Sequence, residues 1–210
     1  MAGSSVTELL RPGLLEDVSI MLAAAPSPPE ERLASAMGEA CAALGASFVR
    51  WPLDAGEQAL AEKLRRGETV DLLVLDAGSA FLAATAGGPG GQASPRAALA
   101  RCMQLSWEVT RTLASACIGS ARATRIVLIA PAASARETEL ELYARAARAG
   151  LENLARTLSI EWSRHAITTV AIAPAPDTDA GELAALCAYL ASPAGAYFSG
   201  CLLAPGALGR

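Results

Sequence analysis

The stretch RIVLIAP at residues 125–131 decides the fold class, together with the segment ARAARAGLENLARTLSIEW at 144–162 and the run ITTVAIAP at 167–174 that follow it. Short runs rich in Val and Ile with a long helical pattern between them are typical of β-α-β units, which place parallel strands in one sheet. Strands of this composition are buried on both faces. We therefore expect an α/β protein with a doubly wound parallel sheet.

The same alternation of strands and helices extends over the whole chain. It predicts one domain over residues 1–210, built as a three-layer α/β/α sandwich with six strands. The predicted strands cover residues 18–22, 47–51, 70–75, 125–130, 167–172 and 200–203. The predicted helices cover about 31–44, 56–66, 95–118, 137–164 and 181–191. The Gly-, Pro- and Ser-rich residues 83–94 are predicted to form a loop.

Composition and charge exclude several classes of partner. The formal net charge is −4 and no Lys/Arg cluster is present, so we expect no nucleic acid partner. No apolar run reaches membrane-spanning length and the N-terminus does not resemble a leader, so we expect no membrane partner. Five widely spaced cysteines suit reduced thiols, and His165 alone cannot hold zinc. These features predict a cytoplasmic protein without a metal.

Several segments, in the right order, resemble motifs of the short-chain dehydrogenase/reductase family. Residues 71–78, DLLVLDAG, are similar to DxLVNNAG, while RIVLIAP and ITTVAIAP are similar to GRIVNISS and IRVNAIAPG. The segment 144–162 resembles the family's active-site helix, YxxxKAAxxxLxRxLAxE. Residues 182–203, ELAALCAYLASPAGAYFSGCLL, resemble the closing EIAxxVxFLASDxASYITGxxLxVDGG. The resemblance implies a Rossmann-like fold with one βα unit fewer than typical members have.

The resemblance also implies that the catalytic side chains have been lost. The family's tyrosine, which protonates the substrate carbonyl oxygen, falls on Ala144, and its lysine falls on Arg148. Its serine falls on Pro131, and Lys63 is the only lysine in the chain. Hydride transfer needs a general acid to neutralise the developing alkoxide. We therefore expect no catalytic residue at Pro131, Ala144 or Arg148.

The expected nucleotide site departs from the family as well. A dinucleotide fold needs glycines directly after its first strand, so that backbone N–H groups can approach the pyrophosphate at a helix N-terminus. This chain has AAAPSPPEERL at residues 23–33, where prolines remove three donors. Residues 48–54, FVRWPLD, resemble the family's third strand more than its second. We expect this chain to bind no cofactor.

Elements that form subunit interfaces in the family persist here. In the family, the helices before and after the RIV strand pair with their counterparts in a second subunit. The segment 144–162 carries an apolar stripe at helical spacing, and the closing segment carries two aromatic residues. The stripe equally suits a helix face that packs on the chain's own sheet. The expected interface residues are Leu151, Leu154, Leu158, Trp162, Tyr197 and Phe198.

Three functions follow from this resemblance. The first is a non-catalytic subunit that pairs with and stabilises an active NAD(P)-dependent paralogue as a heterotetramer. Such subunits occur in heteromeric ketoacyl reductases and hydroxyacyl-CoA dehydrogenases, including that of the benzylsuccinate pathway, with NAD(P) in the partner. The second is a cofactor-free enzyme similar to halohydrin dehalogenases, using Arg148, Tyr143 and either Ser134 or Asp76. The third is a homo-oligomeric ligand-binding protein.

Overall fold

Six parallel strands form one sheet in the computed structural model, which describes residues 10–86 and 94–205. The strands are β1 (Ser19–Ala24), β2 (Ser47–Pro52), β3 (Leu72–Asp76), β4 (Thr124–Ile129), β5 (Ile167–Ile172) and β6 (Leu202–Leu203). Their order across the sheet is β2-β1-β3-β4-β5-β6. The six-stranded, Rossmann-like parallel sheet confirms the predicted fold class.

Six α-helices connect the strands and cover both faces of the sheet. They are α1 (Pro28–Leu44), α2 (Gly56–Arg65), α3 (Ala77–Thr85), α4 (Pro95–Gly119), α5 (Glu139–Glu161) and α6 (Ala180–Ala191). Three short 3₁₀ helices cover Leu53–Ala55, Ser163–His165 and Pro193–Tyr197. Two clusters of buried hydrophobic residues form the core. One lies between the sheet and helices α2 to α5, and the other lies between the sheet and helices α1 and α6 on the opposite face. This arrangement confirms the three layers.

The edge strand β2 lies directly beside β1. It pairs directly with β1 over its whole length, with Ser19 opposite Ser47 and Ala24 opposite Pro52. In a doubly wound sheet the strand beside the first is the second, and the third lies outside it. The strand therefore lies where the second strand of such a sheet lies, and no further strand pairs with its outer edge among the described residues.

Helix α3 was not predicted from the sequence. It begins directly after β3, where Asp76 is the N-cap and Oδ1 of its side chain accepts the Ser79 N–H at 2.9 Å. Acceptance of a first-turn N–H by an N-cap carboxylate starts a helix, and the alanines that follow favour its continuation. The helix reaches Thr85, which lies within the predicted loop 83–94. Residues 87–93 of that loop lie outside the described residues.

The end of α6 is held by contacts from two other parts of the chain. Nη1 of Arg125, at the start of β4, lies 2.8 Å from the Leu190 carbonyl oxygen and 2.6 Å from that of Ser192. Gly195 lies so close to the same turn that a Cβ on it would be 2.5 Å from Leu190 Cα. The last carbonyls of a helix lack partners inside the helix. Arg125 supplies them with a charged donor.

Candidate functional site

The switch point of the sheet lies between β1 and β3. From β1 the chain leads outward to β2, whereas from β3 it leads the other way to β4. Ligands of open α/β sheets bind outside the carboxyl ends of the strands at such a point. A cavity of about 200 Å³ lies there, which we call the switch-point cavity. Its lining includes Leu33, Asp76, Ser79, Ile129, Thr178 and Leu183.

The N-terminus of α1 offers no free backbone N–H in its first three positions. Ser27 is the N-cap, and the first two helical residues are Pro28 and Pro29, which have no N–H. The next donor, the Glu30 N–H, is bonded to Ser27 Oγ at 3.2 Å. Anion sites at helix N-termini depend on free N–H groups that point at the ligand. This helix end lacks those donors.

The end of β1 is closed by a side chain from α3. The Ala25 N–H donates to Ser79 Oγ at 2.9 Å, and Ser79 Oγ donates to the Asp76 carbonyl oxygen at 2.7 Å. Ala25 follows β1 directly, where a dinucleotide fold would direct backbone N–H groups at the pyrophosphate. Because this donor is already bonded and the next residue is Pro26, the residues here do not fit a dinucleotide pyrophosphate.

Glu30 places a carboxylate of the chain itself at the start of α1. Its side chain is 4% exposed, and Oε1 pairs with Nη2 of Arg50 on β2 at 2.7 Å. A negative charge in the first helical turn interacts favourably with the helix dipole. The sequence analysis did not identify Glu30, although Ser27 and Glu30 have the spacing of a capping box, which could have indicated it. Ser79 was also missed.

Asp76 is the acidic residue in the lining of the switch-point cavity. It is 7% exposed, and burial raises the pKa of its carboxyl to about 6, with the charge of Glu30 acting in the same direction. The hydrogen bond from the Ser79 N–H opposes this rise by favouring the charged form. Asp76 therefore changes its charge in a mildly acidic range.

Asp76→Asn is expected to raise the free energy of unfolding at pH 8 by about 1–3 kcal/mol. The native pKa of about 6 exceeds the ordinary value of 3.8, so the native state binds more protons than the unfolded state between these values. The stabilising contribution of this carboxyl is therefore complete below its ordinary pKa of 3.8, and it is lost as the pH rises through about 6. Asparagine keeps the helix cap but does not titrate.

The measurement is urea unfolding of both proteins between about pH 4 and pH 8. The variant's advantage is expected to grow with pH and to level off above the native pKa of about 6. The exposed Asp54→Asn is the matched control, since it makes the same chemical change outside the core. If the stabilities of Asp76→Asn and wild type changed with pH in parallel, the result would contradict the raised pKa of Asp76.

The three positions at which the resemblance would place catalytic side chains lie in different surroundings. Pro131 is buried, and its Cα would lie 3.3 Å from a Cβ on Gly78. Ala144 is 4% exposed and belongs to the core cluster under α4 and α5. Arg148 is half-buried and makes no ion pair within residues 10–86 and 94–205. A proline and a packed alanine supply no acid or base.

The four residues of the cofactor-free alternative do not all line the switch-point cavity. Tyr143 packs against the core under α4 and α5, and only Asp76 lines the switch-point cavity. Ser134 Oγ donates to Glu141 Oε1 at 2.7 Å, and Arg145 Nη1 donates to the Ser134 carbonyl at 2.9 Å. Ser134 is thus engaged in holding the loop before α5.

The expected interface residues differ in exposure. Leu151 and Leu158 are buried within the chain, and Leu154 and Trp162 are half-buried against the core. The stripe on α5 therefore packs largely on the chain's own core, which was the alternative interpretation. Tyr197 is 91% exposed, while the half-buried Phe198 lies edge-on to another ring. Other exposed apolar side chains on α4 and α5 are Trp107, Ile118, Leu140, Leu142 and Ile160.

Among the described residues, no group of His, Cys, Asp and Glu side chains suits a metal ion. All five cysteines are free thiols, and burial raises the pKa of Cys102 and of Cys187 to about 12. No helix within the described ranges is long and apolar enough to cross a membrane. His165 accepts a hydrogen bond from Arg164 at 3.1 Å.

Solved dehydrogenases share this fold. A citronellol catabolism dehydrogenase from Pseudomonas aeruginosa PAO1 is similar with a TM-score of 0.71 and 22% identity, over 93% of this chain and 96% of that one. A short chain dehydrogenase from Mycobacterium smegmatis has a TM-score of 0.66 and 18% identity, over 95% and 97%. No protein-family profile and no curated protein matches the chain. The likeness shows that this chain shares the fold of these dehydrogenases.

Proposed function

We propose that the chain is a non-catalytic subunit that binds no NAD(P) and that pairs with an active short-chain dehydrogenase. The observation that carries the proposal is the N-terminus of α1, where Pro28 and Pro29 have no N–H and the Glu30 N–H is bonded to Ser27. A nucleotide pyrophosphate bound there would meet no free donor from these positions. It would also meet the carboxylate of Glu30, and the nearby cation Arg50 is already paired with that carboxylate.

The catalytic positions support the same proposal. Reduction of a carbonyl by hydride transfer requires a positioned acid, which contributes about 10²–10⁴-fold to the rate. The position of the family's tyrosine is Ala144, which lies in the core, and the position of its serine is Pro131. No neighbouring phenol replaces the tyrosine, because Tyr143 packs against the core and does not line the switch-point cavity.

A partner of the same fold is supported by the outer surface of α4 and α5. The two helices pack beside each other on one face of the sheet, and Gly150 on α5 meets Met103 on α4. Their outward sides expose large apolar residues, among them Trp107 at 44% and Ile160 at 76%. Exposed apolar groups of this size mark interaction sites when they cluster. Any oxidoreductase activity, with its NAD(P), would reside in the partner of this hetero-oligomer.

The isolated chain is expected to show no change in unfolding temperature when NADH or NADPH is added. A nucleotide with a Kd of about 10 μM, present at about 1 mM, would stabilise a binding protein by about 2.7 kcal/mol, so binding would be readily detected. An active short-chain dehydrogenase treated in the same way is the positive control. A concentration-dependent rise in the unfolding temperature of this chain would contradict the proposal.

A further inference from the structure

Beyond the subunit role, we propose that the switch-point cavity binds a small organic cation of the primary alkylammonium class. In this arrangement the ammonium group pairs with the Asp76 carboxylate. The carbon chain packs against the apolar part of the lining, which includes Leu33, Ile129 and Leu183. The proposal concerns this chain alone and holds whether or not it pairs with a dehydrogenase.

Asp76 is a buried carboxyl group without a cation. Oδ1 accepts the Ser79 N–H at 2.9 Å, but no Lys, Arg or His side chain within the described residues forms an ion pair with it. The nearby charge that shifts its pKa most is that of Glu30, a carboxylate that itself pairs with Arg50 at 2.7 Å. Buried charges in proteins are normally paired. A cationic ligand would add an opposite charge to the hydrogen bonds that Asp76 accepts from Ser79 and Gly78.

The charges around Asp76 come from the three elements packed against it. Helix α1 contributes Glu30 and the exposed Arg32, which lines the cavity but does not lower the pKa of Asp76. On the α6 side, Asp179 is the N-cap of the helix and its Oδ1 accepts the Gly181 N–H at 2.7 Å. The thiol of Cys102 on α4 is neutral, because burial raises its pKa to about 12. The lining of the cavity itself therefore carries one carboxylate, Asp76, and one arginine, Arg32, and the neighbouring Glu30 is paired with Arg50 on β2.

The size of the cavity limits the ligand. Its volume of about 200 Å³ lies below the roughly 300–1,000 Å³ of pockets that hold drug-sized molecules. It corresponds to about six or seven waters at roughly 30 Å³ each. A chain of a few carbon atoms with one ammonium group fits this space, whereas a nucleotide does not.

The test is a titration of the full chain with n-butylammonium chloride, in which binding is monitored through the backbone amide chemical shifts in NMR spectra. We expect shift changes confined to the cavity lining at pH 8, and affinity about tenfold lower at pH 5. With the pKa of Asp76 at about 6, only about one tenth of the carboxyl is ionised at pH 5. The uncharged n-butanol has nearly the same shape and is expected to bind at least tenfold more weakly at pH 8.

Three variants separate the cavity from other sites. Asp76→Asn keeps the α3 cap and is expected to lose the preference for butylammonium over butanol. Ala180→Leu extends a side chain that lines the cavity and is expected to abolish binding while Asp76 remains. Asp54→Asn, on the surface, is expected to bind like wild type. Absence of binding at pH 8, equal affinity for the alcohol, or unchanged affinity in Asp76→Asn would each overturn the proposal.

Discussion

Gly195→Ala is expected to lower the free energy of unfolding by more than about 3 kcal/mol, because the new Cβ would overlap backbone atoms. At the Gly195 position, a Cβ would lie 2.5 Å from the Leu190 Cα and still closer to the Leu190 carbonyl oxygen. These atoms belong to the last turn of α6, which cannot move without also disturbing its contacts with Arg125. Urea unfolding of the variant and of wild type measures the effect.

The matched control is Gly119→Ala. Gly119 is the last residue of α4, and a Cβ there would meet nothing within 4 Å. Alanine is the better helix former, so this variant is expected to be neutral or more stable by up to about 1 kcal/mol. A loss of stability in Gly195→Ala no larger than about 1 kcal/mol would mean that the close approach to α6 is not a constraint.

Arg125→Met is expected to lower the free energy of unfolding by about 2–4 kcal/mol, since hydrogen bonds from charged donors contribute about 1.5–3 kcal/mol each. The guanidinium Nη1 contacts the carbonyl oxygens of Leu190 and Ser192 at 2.8 and 2.6 Å, and also that of Ala191. Methionine keeps the apolar part of the side chain but leaves these carbonyls without the charged donor. Thermal and urea unfolding report the loss.

Arg122→Met is the control for Arg125→Met. The Arg122 side chain is 45% exposed, and its Nη2 lies 3.5 Å from Asp71 Oδ1. Exposed pairs of this kind contribute at most about 1 kcal/mol, so a small effect is expected. Equal effects of the two substitutions would argue against a specific role for Arg125 at the end of α6.

These contacts give a structural role to residues in the segments that resemble dehydrogenase motifs. Arg125 begins the RIV motif, and Gly195 lies in the closing motif. Both contact the last turn of α6. Likewise, Gly78 in the motif DLLVLDAG allows α3 to approach β4, because a Cβ there would lie 3.2 Å from the Ala130 carbonyl oxygen. In all three segments, these residues therefore hold the fold.

The fold was largely predictable because each buried strand is a short Val-, Ile- and Leu-rich run between helical patterns. Strand β5 and the first residue of α4 agree with the predicted limits. Helix α3 escaped prediction because it follows β3 with no turn residues between, so that Asp76 both ends the strand and caps the helix. The sequence of β2 does not show which strand lies beside it, because strand pairing joins residues that are far apart in the chain.

For the site, the sequence alone shows only which residues of a nucleotide site this chain does not have. The absence of glycines after β1 and the presence of prolines are visible in the sequence. The bonds that close the region depend on residues far apart in the chain: Ala25 with Ser79, and Glu30 with Arg50. The raised pKa of Asp76 likewise arises from burial between elements, which spacing along the chain cannot reveal. Tertiary contacts, and not local patterns, define these features.

The most direct test of the central claim is mass spectrometry of the proteins that co-purify with the tagged chain from the cells that produce it. We expect a stoichiometric second protein of the same fold that carries an intact glycine motif and YxxxK, and we expect NAD(P)-dependent dehydrogenase activity in that complex. Recovery of the chain with copies of itself alone, together with NAD(P)-dependent turnover by that preparation, would contradict the account.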